Sequence, residues 1–196
     1  MSEHNRPIKD AIIMAALPNI PFDGWTRDVL ESAAREAGYP CEMVISVFPA
    51  GVKDAIRHFS VMADSWMMEK LASYNPVSLK VRDRITMAVK ARLEALESHK
   101  EAEKLALAYW MRPFRKFEGV KMVWKTADVI WGWAGDTATD YNRYTKRGLL
   151  SGVLTSTVLF WLNDTSDQHT ESWAFLDRRI ENVMTIGKIA GKFKSA

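Results

Sequence analysis

The chain has 196 residues and a single cysteine, Cys41, which excludes an intramolecular disulfide and any zinc or iron–sulfur site built within the chain on several thiolates. Hydrophobic residues at 47% and charged residues at 26% exclude a disordered chain and fit a globular one long enough to bury a core without covalent staples. The net charge of +3 is unevenly spread: residues 1–75 hold 7 Lys/Arg against 10 Asp/Glu and the remainder 20 against 14, so an acidic first third precedes a basic remainder.

Periodicity near 3.6 residues runs almost throughout, and alternating Val/Ile/Thr runs are absent, which predicts an all-α protein. The start, MSEHNRPIKD, lacks both the apolar core of a signal peptide and an Arg-rich transit pattern, so a protein at most peripheral to a membrane is expected. A first helix is expected from Pro7, a favoured first-turn residue, to about Leu17. PNIPFDGW reads as a loop. The second helix is expected over Thr26–Ala37, with Thr26 as N-cap and Gly38-x-Pro40 as the stop. A short third covers Cys41–Phe48 and is broken by Pro49-Ala50-Gly51. The fourth runs over Val52–Ser73, with Val52, Ile56, Phe59, Ala63 and Trp66 on one face, and Tyr74-Asn75-Pro76 ends it.

The fifth helix carries the stripe Val77, Val81, Ile85, Val89, Leu93 and Leu96. A sixth covers Ala102–Met111, and Arg112-Pro113-Phe114-Arg115-Lys116-Phe117-Glu118-Gly119 reads as a basic, aromatic connection. The seventh is expected over Val120–Trp133, the eighth over Thr139–Leu162 and the ninth from Thr170 to about Gly187 or on into the basic tail. The resulting architecture has a small N-terminal helical subdomain over 1–51, a larger helical bundle over 52–185 and a basic tail over 186–196.

Catalytic constellations are missing. The histidines stand at 4, 58, 99 and 169, without the Glu-x-x-His spacing of helical di-iron sites or a zinc-binding His-Glu-x-x-His. No phosphate-cradling glycine loop and no nucleophile elbow occur. Cys41 is a candidate nucleophile, or a small hydrophobe on its helix. Asp136 and Asp140 are candidate metal ligands, or a helix cap and an ion-pair partner. No enzyme activity, cofactor or metal is assigned.

The order helix, Ala-Gly-x-Pro turn, short helix has helix–turn–helix character, and IIMAALPNIPFDGWTRDVLESAAREAGYPCEMVISVFPAGVKDAIRHF resembles the TetR family of repressors. The expected reading helix, CEMVISVF, carries no Arg, Lys, Asn or Gln to read base edges, and its subdomain is acidic where phosphate contact requires clustered cations. The expectation is a degenerate helix–turn–helix with no nucleic-acid partner; the alternative is a TetR-type ligand-responsive transcriptional repressor.

The most specific stretch runs WGWAGDTATDYNRYTKR from Trp131 to Arg147. It resembles the signature of the COQ-nine family of ubiquinone-biosynthesis proteins, and NDTSDQHTESWAFLDRRIENVM resembles that family's end. The resemblance implies a TetR-like fold and a non-catalytic accessory protein of ubiquinone biosynthesis. Such a protein binds isoprenoid quinone intermediates at the membrane and presents them to a partner hydroxylase, a di-iron enzyme acting on demethoxyubiquinone. It implies a homodimer and a peripheral location, cytoplasmic in a bacterium or on the matrix side of the mitochondrial inner membrane in a eukaryotic mature form.

Carried onto this chain, the partner-facing patch comprises Asp140, Asn142, Tyr144 and Arg147, with Arg143 where an aromatic residue is expected in eukaryotic relatives. The spacing of Asn142, Arg143, Lys146 and Arg147 alone reads equally as a solvated face with local ion pairs. Trp131, Trp133, Leu149, Val153, Phe160 and Trp161 are the candidate lipid-binding residues; they line an apolar cavity or fill a core. In the tail, Ile186, Ile189 and Phe193 share a helical face flanked by Lys188, Lys192 and Lys194. That pattern suits anionic headgroups, or is a frayed basic terminus.

Overall fold

The computed structural model describes the backbone of residues 5–137, 139 and 141–194, and the side chains of these except Tyr141 and residues 185–194. Among the described residues there is no strand, and the expected all-α architecture is borne out. Ten α-helices follow one another among the described residues: α1 (Arg6–Ala16), α2 (Ile20–Asp23), α3 (Arg27–Glu36), α4 (Met43–Val47), α5 (Val52–Leu71), α6 (Val81–Ala95), α7 (Lys100–Met111), α8 (Lys116–Trp133), α9 (Tyr141–Leu162) and α10 (Thr170–Lys194). No described helix is long and apolar enough to cross a membrane. The chain forms two compact units, one of residues 1–66 with 95–122 and the other of residues 67–94 with 123–196.

In the first unit, Pro7 sits in the opening turn of α1 and Thr26 caps α3, its hydroxyl accepting from the Val29 amide at 3.3 Å. Gly38, at φ +83°, lets the chain leave α3 through a bond from the Tyr39 amide to the Ala34 carbonyl at 2.8 Å, the left-handed stop that favours glycine. α1 packs on α3 and α2 on α7. Ile12, Ile13, Leu30, Phe48, Ile56 and Phe59 are buried together with little or no exposure. Trp25 stacks obliquely on Phe59 at 5.3 Å, and its indole N–H donates to the Ala102 carbonyl at 3.0 Å. The buried polar atom of a large aromatic is thereby satisfied.

Three departures from the expected helix boundaries have a physical reason in the structure. PNIPFDGW contains the helical turn α2, because Ile20 is an apolar anchor, buried completely, and Asn19 and Pro21 are compatible with a helix start. The stripe expected from Val77 begins in effect at Ile85. Asn75 turns back to accept from the Val77 amide, residues 76–78 form a 3₁₀ turn, and Val77 and Val81 are exposed. Helix α8 starts at Lys116, four residues before the expected Val120, and so contains Gly119. A Cβ on Gly119 would lie 3.0 Å from Trp110 Cβ, so this glycine serves a close approach within the first unit and is not a break.

In the second unit, α9 packs on α10. Buried Leu150, Val153, Leu154, Thr157, Val158 and Trp161 lie along one face of α9, and Ser172, Leu176 and Ile180 along α10. Three hydroxyls on this largely apolar helix are satisfied within it: Ser151 donates to the Arg147 carbonyl, Thr155 to Ser151 and Ser156 to Gly152, at 2.7–2.9 Å, whereas the buried Thr157 hydroxyl finds no hydrogen-bond partner among the described residues. This back-bonding lets Ser151, Thr155 and Ser156 ride on a packed helix with their hydroxyls paired.

Candidate functional site

The motif from Trp131 to Arg147 joins the end of α8 to the start of α9. α8 stops at a left-handed turn on Gly135, φ +82°. The Asp136 amide bonds the Trp131 carbonyl at 3.0 Å and the Gly135 amide the Gly132 carbonyl at 3.1 Å, the paired bonds of a Schellman stop. Arg84 of α6 holds the turn from beneath. It donates to the Ala134 carbonyl at 2.7 Å and the Leu79 carbonyl at 2.9 Å, and its Nη1 would lie 3.4 Å from a Cβ on Gly135.

Arg147 is the centre of the motif. It is only 3% exposed, and its guanidinium reaches Asp136 at 2.8 Å and Asp128 of α8 at 2.5 Å. Lys146 bonds the other oxygen of Asp136 at 2.6 Å, and Arg143 adds a 3.2 Å bond to Asp128. Burial opposes the charge on Arg147, but the hydrogen bonds to Asp136 and Asp128 outweigh it and raise its pKa. Trp131 is tied in by its indole N–H to the Lys146 carbonyl at 3.2 Å, with the Lys146 ammonium 5.3 Å from its ring centre. The network fastens the first turns of α9 to the last turns of α8.

Of the four expected partner-facing residues, Asn142 and Tyr144 are exposed, and Tyr144 lies 6.3 Å from the ring of Trp124. Arg147 is buried and committed to its two aspartates. Asp140 lies outside the described residues. Asp136, weighed as a metal ligand or an ion-pair partner, is held in ion pairs by Arg147 and Lys146.

The candidate lipid residues fall into distinct settings. Trp131 and Trp133 are half-buried at the end of α8, and Leu149 is half-buried on α9. Val153 and Trp161 are core residues, Trp161 with no exposure and its ring edge-on to His169 at 6.0 Å. Phe160 is different: it lines an open cleft of about 460 Å³ with Ser156, Leu159, Asn163, Asp164, Thr165, Glu171 and Phe175. That volume lies within the range of small-molecule sites. Phe160 and Phe175 stack nearly parallel at 4.6 Å, forming an aromatic wall between α9 and α10.

Asp164 forms the polar end of the cleft. It accepts from the amides of Ser166 and Ser172 at 2.8 and 2.9 Å and from the Ser172 hydroxyl at 2.5 Å. Burial alone would raise its pKa, but these hydrogen bonds prevail and hold the carboxyl far below its ordinary value. It thereby caps the start of α10. Sequence reasoning passed over Asp128, Arg84, Asp164 and Phe175. Asp164 had a local signal, the Asn-Asp-Thr-Ser turn before a helix; Arg84 is distant in sequence from the motif it holds, and Asp128, just ahead of the motif, pairs with residues 15 and 19 positions further on, so no spacing rule finds either.

Tail residues Ile186, Lys188, Ile189, Lys192, Phe193 and Lys194 continue the backbone of α10 to Lys194; their side chains, and residues 195–196, lie outside the described residues.

Comparison with known proteins bears out the resemblance read from the motif. The COQ9 family model matches residues 117–187. The mitochondrial ubiquinone biosynthesis protein COQ9 of Rattus norvegicus is 28% identical over 98% of this chain and 64% of its own length, and that of Homo sapiens 27% over 98% and 63%. The Drosophila melanogaster protein of the same name is 29% identical over 91% and 56%. The chain thus spans somewhat under two thirds of the length of these curated relatives. A TetR transcriptional regulator from Nitrosomonas europaea, solved by crystallography, superposes with a TM-score of 0.71 at 18% identity, covering 91% of this chain and 98% of that one. The chain has a TetR-like fold and is similar to the COQ9 proteins over nearly its whole length.

Proposed function

We propose that this chain acts in ubiquinone biosynthesis as a non-catalytic lipid-binding protein that presents an isoprenoid quinone intermediate to a partner hydroxylase at a membrane surface. The observation that carries the reading is its similarity to ubiquinone biosynthesis proteins along 98% of the chain. The α9–α10 cleft supports it: an aromatic wall of Phe160 and Phe175, with Leu159 beside it and Asp164 and Asn163 at the polar end, suits a ligand with a polar ring and an apolar tail. Trp131, Trp133 and Leu149 are half-buried in the same unit.

In this reading the hydroxylase docks at the start of α9 on exposed Asn142 and Tyr144, and on Asp140, which lies outside the described residues. Arg147 contributes by fixing that turn on Asp136 and Asp128. Arg143, paired to Asp128, supplies a charge where relatives are expected to carry an aromatic ring, so the partner surface here is more polar. The basic tail gives weak, salt-sensitive membrane contact. The relatives are named as mitochondrial, which supports the matrix side of the inner membrane as the place of action, or the cytoplasmic face in a bacterium.

The TetR-like fold favours a second reading, a ligand-responsive repressor. Helix α4 argues against it: it exposes Ile45 and Ser46, with Glu42 just ahead of it, and offers no Arg, Lys, Asn or Gln to read base edges or neutralise phosphate. Organic extraction of the purified protein and identification of its lipids separates the two. A quinone or its precursor is expected in the extract; a lipid-free protein that shifts a specific DNA fragment at physiological salt supports the repressor.

A further inference from the structure

The corner between α7 and α8, within the first unit, has no role in the reading above. Met111, Phe114, Phe117 and Val120 are all well exposed there, Phe114 completely so at 102%. Phe114 also holds a left-handed backbone, φ +68°, a conformation uncommon for a bulky residue. An aromatic ring fully in water gains nothing for the fold, since apolar surface is stabilising only when removed from water. Scattered exposed apolar residues need no explanation, but four within ten residues at one corner do.

The charge around these residues has one sign. From Met111 to Lys121 the chain carries Arg112, Arg115, Lys116 and Lys121 against Glu118 alone. Glu118 is occupied by an ion pair to Arg57 of α5, which pushes its pKa down. Arg112 and Lys116 are exposed. The N-terminus of the 18-residue α8 adds its partial positive charge at the same place. The corner is also braced: the Arg115 guanidinium lies 4.0 Å from the Tyr109 ring centre, Trp110 is buried, and Gly119 lets α8 approach Trp110 closely. The Lys121 ammonium sits 4.7 Å from the Phe117 ring centre.

We infer that this corner is a membrane-insertion point: Phe114 and Phe117 enter the interfacial region of an anionic lipid layer, and Arg112, Lys116 and Lys121 contact its headgroups. Apolar residues that stand out fully, ringed by cations, match a deformable medium that is apolar beneath an anionic surface. This contact is separate from the tail and does not rest on quinone binding.

The test is flotation of the full chain with vesicles of phosphatidylcholine and phosphatidylglycerol mixed three to one, at rising salt. The wild type is expected to float, weakening as salt is added. F114S/F117S is expected to lose roughly tenfold or more in apparent affinity, and K116E/K121E a comparable factor, most of it at low salt. Thermal unfolding of each variant, followed by circular dichroism, is expected to match the wild type. Undiminished flotation of both variants overturns the proposal and leaves the tail as the membrane contact; so does a wild type that ignores anionic vesicles. Loss of a concentration-dependent dimer in F114S/F117S with flotation intact also overturns it, by showing that the corner meets a second copy. Lipid extraction reports separately on quinone binding.

Discussion

Arg147 and Asp164 organise the two ends of α9, and each carries a distinct prediction. The Arg147–Asp136 pair is almost fully buried, with side chains 4% and 3% exposed. Removing one partner of such a pair leaves an uncompensated charge, at a cost of about 3–5 kcal/mol. Arg147→Met is therefore expected to lower the unfolding free energy by that much, read as a lower urea midpoint at an unchanged m-value. Arg147→Lys should recover only part of the loss, because a single ammonium cannot bridge both aspartates as the guanidinium does. Arg143→Ala, at a half-exposed pair, should cost under about 1 kcal/mol.

Asp164 gives a pH prediction. Its folded pKa lies well below its ordinary 3.8, so the unfolded chain takes up its proton first. Its stabilising contribution is complete above about pH 3.8 and is lost as the pH falls through the folded value. The stability gap between the wild type and Asp164→Asn should be widest near neutral pH and shrink below about pH 3.8. Urea unfolding of both proteins across that range checks it; a gap constant in pH contradicts the assignment.

At the scale of the element, the left-handed stop at Gly135 ends α8 and aims α9. An alanine there takes up a strained φ and places its Cβ 3.4 Å from Arg84, so Gly135→Ala is expected to cost about 1–2 kcal/mol. Calorimetry should show a lower Tm. Helix starts and stops marked by local chemistry, such as Pro7, Thr26 and Gly38, were legible in the sequence because each acts through its own backbone or its nearest neighbours. The start of α8 was not. Gly119 reads as a breaker when alone, and only Trp110 on α7, brought against it by folding, shows why the helix runs through it. The stripe beginning at Val77 failed in the opposite way: periodicity counted an apolar residue that the Asn75 cap turns out to water.

At the scale of the whole molecule, the all-α class could be read from helical periodicity, and the TetR-like fold followed from the resemblance of the first helices to that family. The motif from Trp131 to Arg147 was found by its residues, but its physical role was not. The sequence suggested a solvated face or a docking patch; the structure shows a cluster in which Arg147 is internal while Asn142 and Tyr144 face outward. The crowding of tryptophan into residues 110–173 likewise resolves into different settings. Trp161 fills core and Trp131 joins the ion network, while the cleft draws its aromatic wall from Phe160 and Phe175. Composition could not distinguish these because burial depends on which helix faces which.

The central claim, that the second unit holds an isoprenoid quinone in the α9–α10 cleft, is tested most directly by native mass spectrometry of the intact chain mixed with a short-chain ubiquinone. The wild type is expected to carry a one-to-one adduct. Phe160→Asp, which puts a charge into the aromatic wall, should reduce the bound fraction by roughly tenfold or more while Asn142→Ala leaves it unchanged. A wild type that stays at its bare mass at every quinone concentration, or a Phe160→Asp variant that binds as fully as the wild type, contradicts the account.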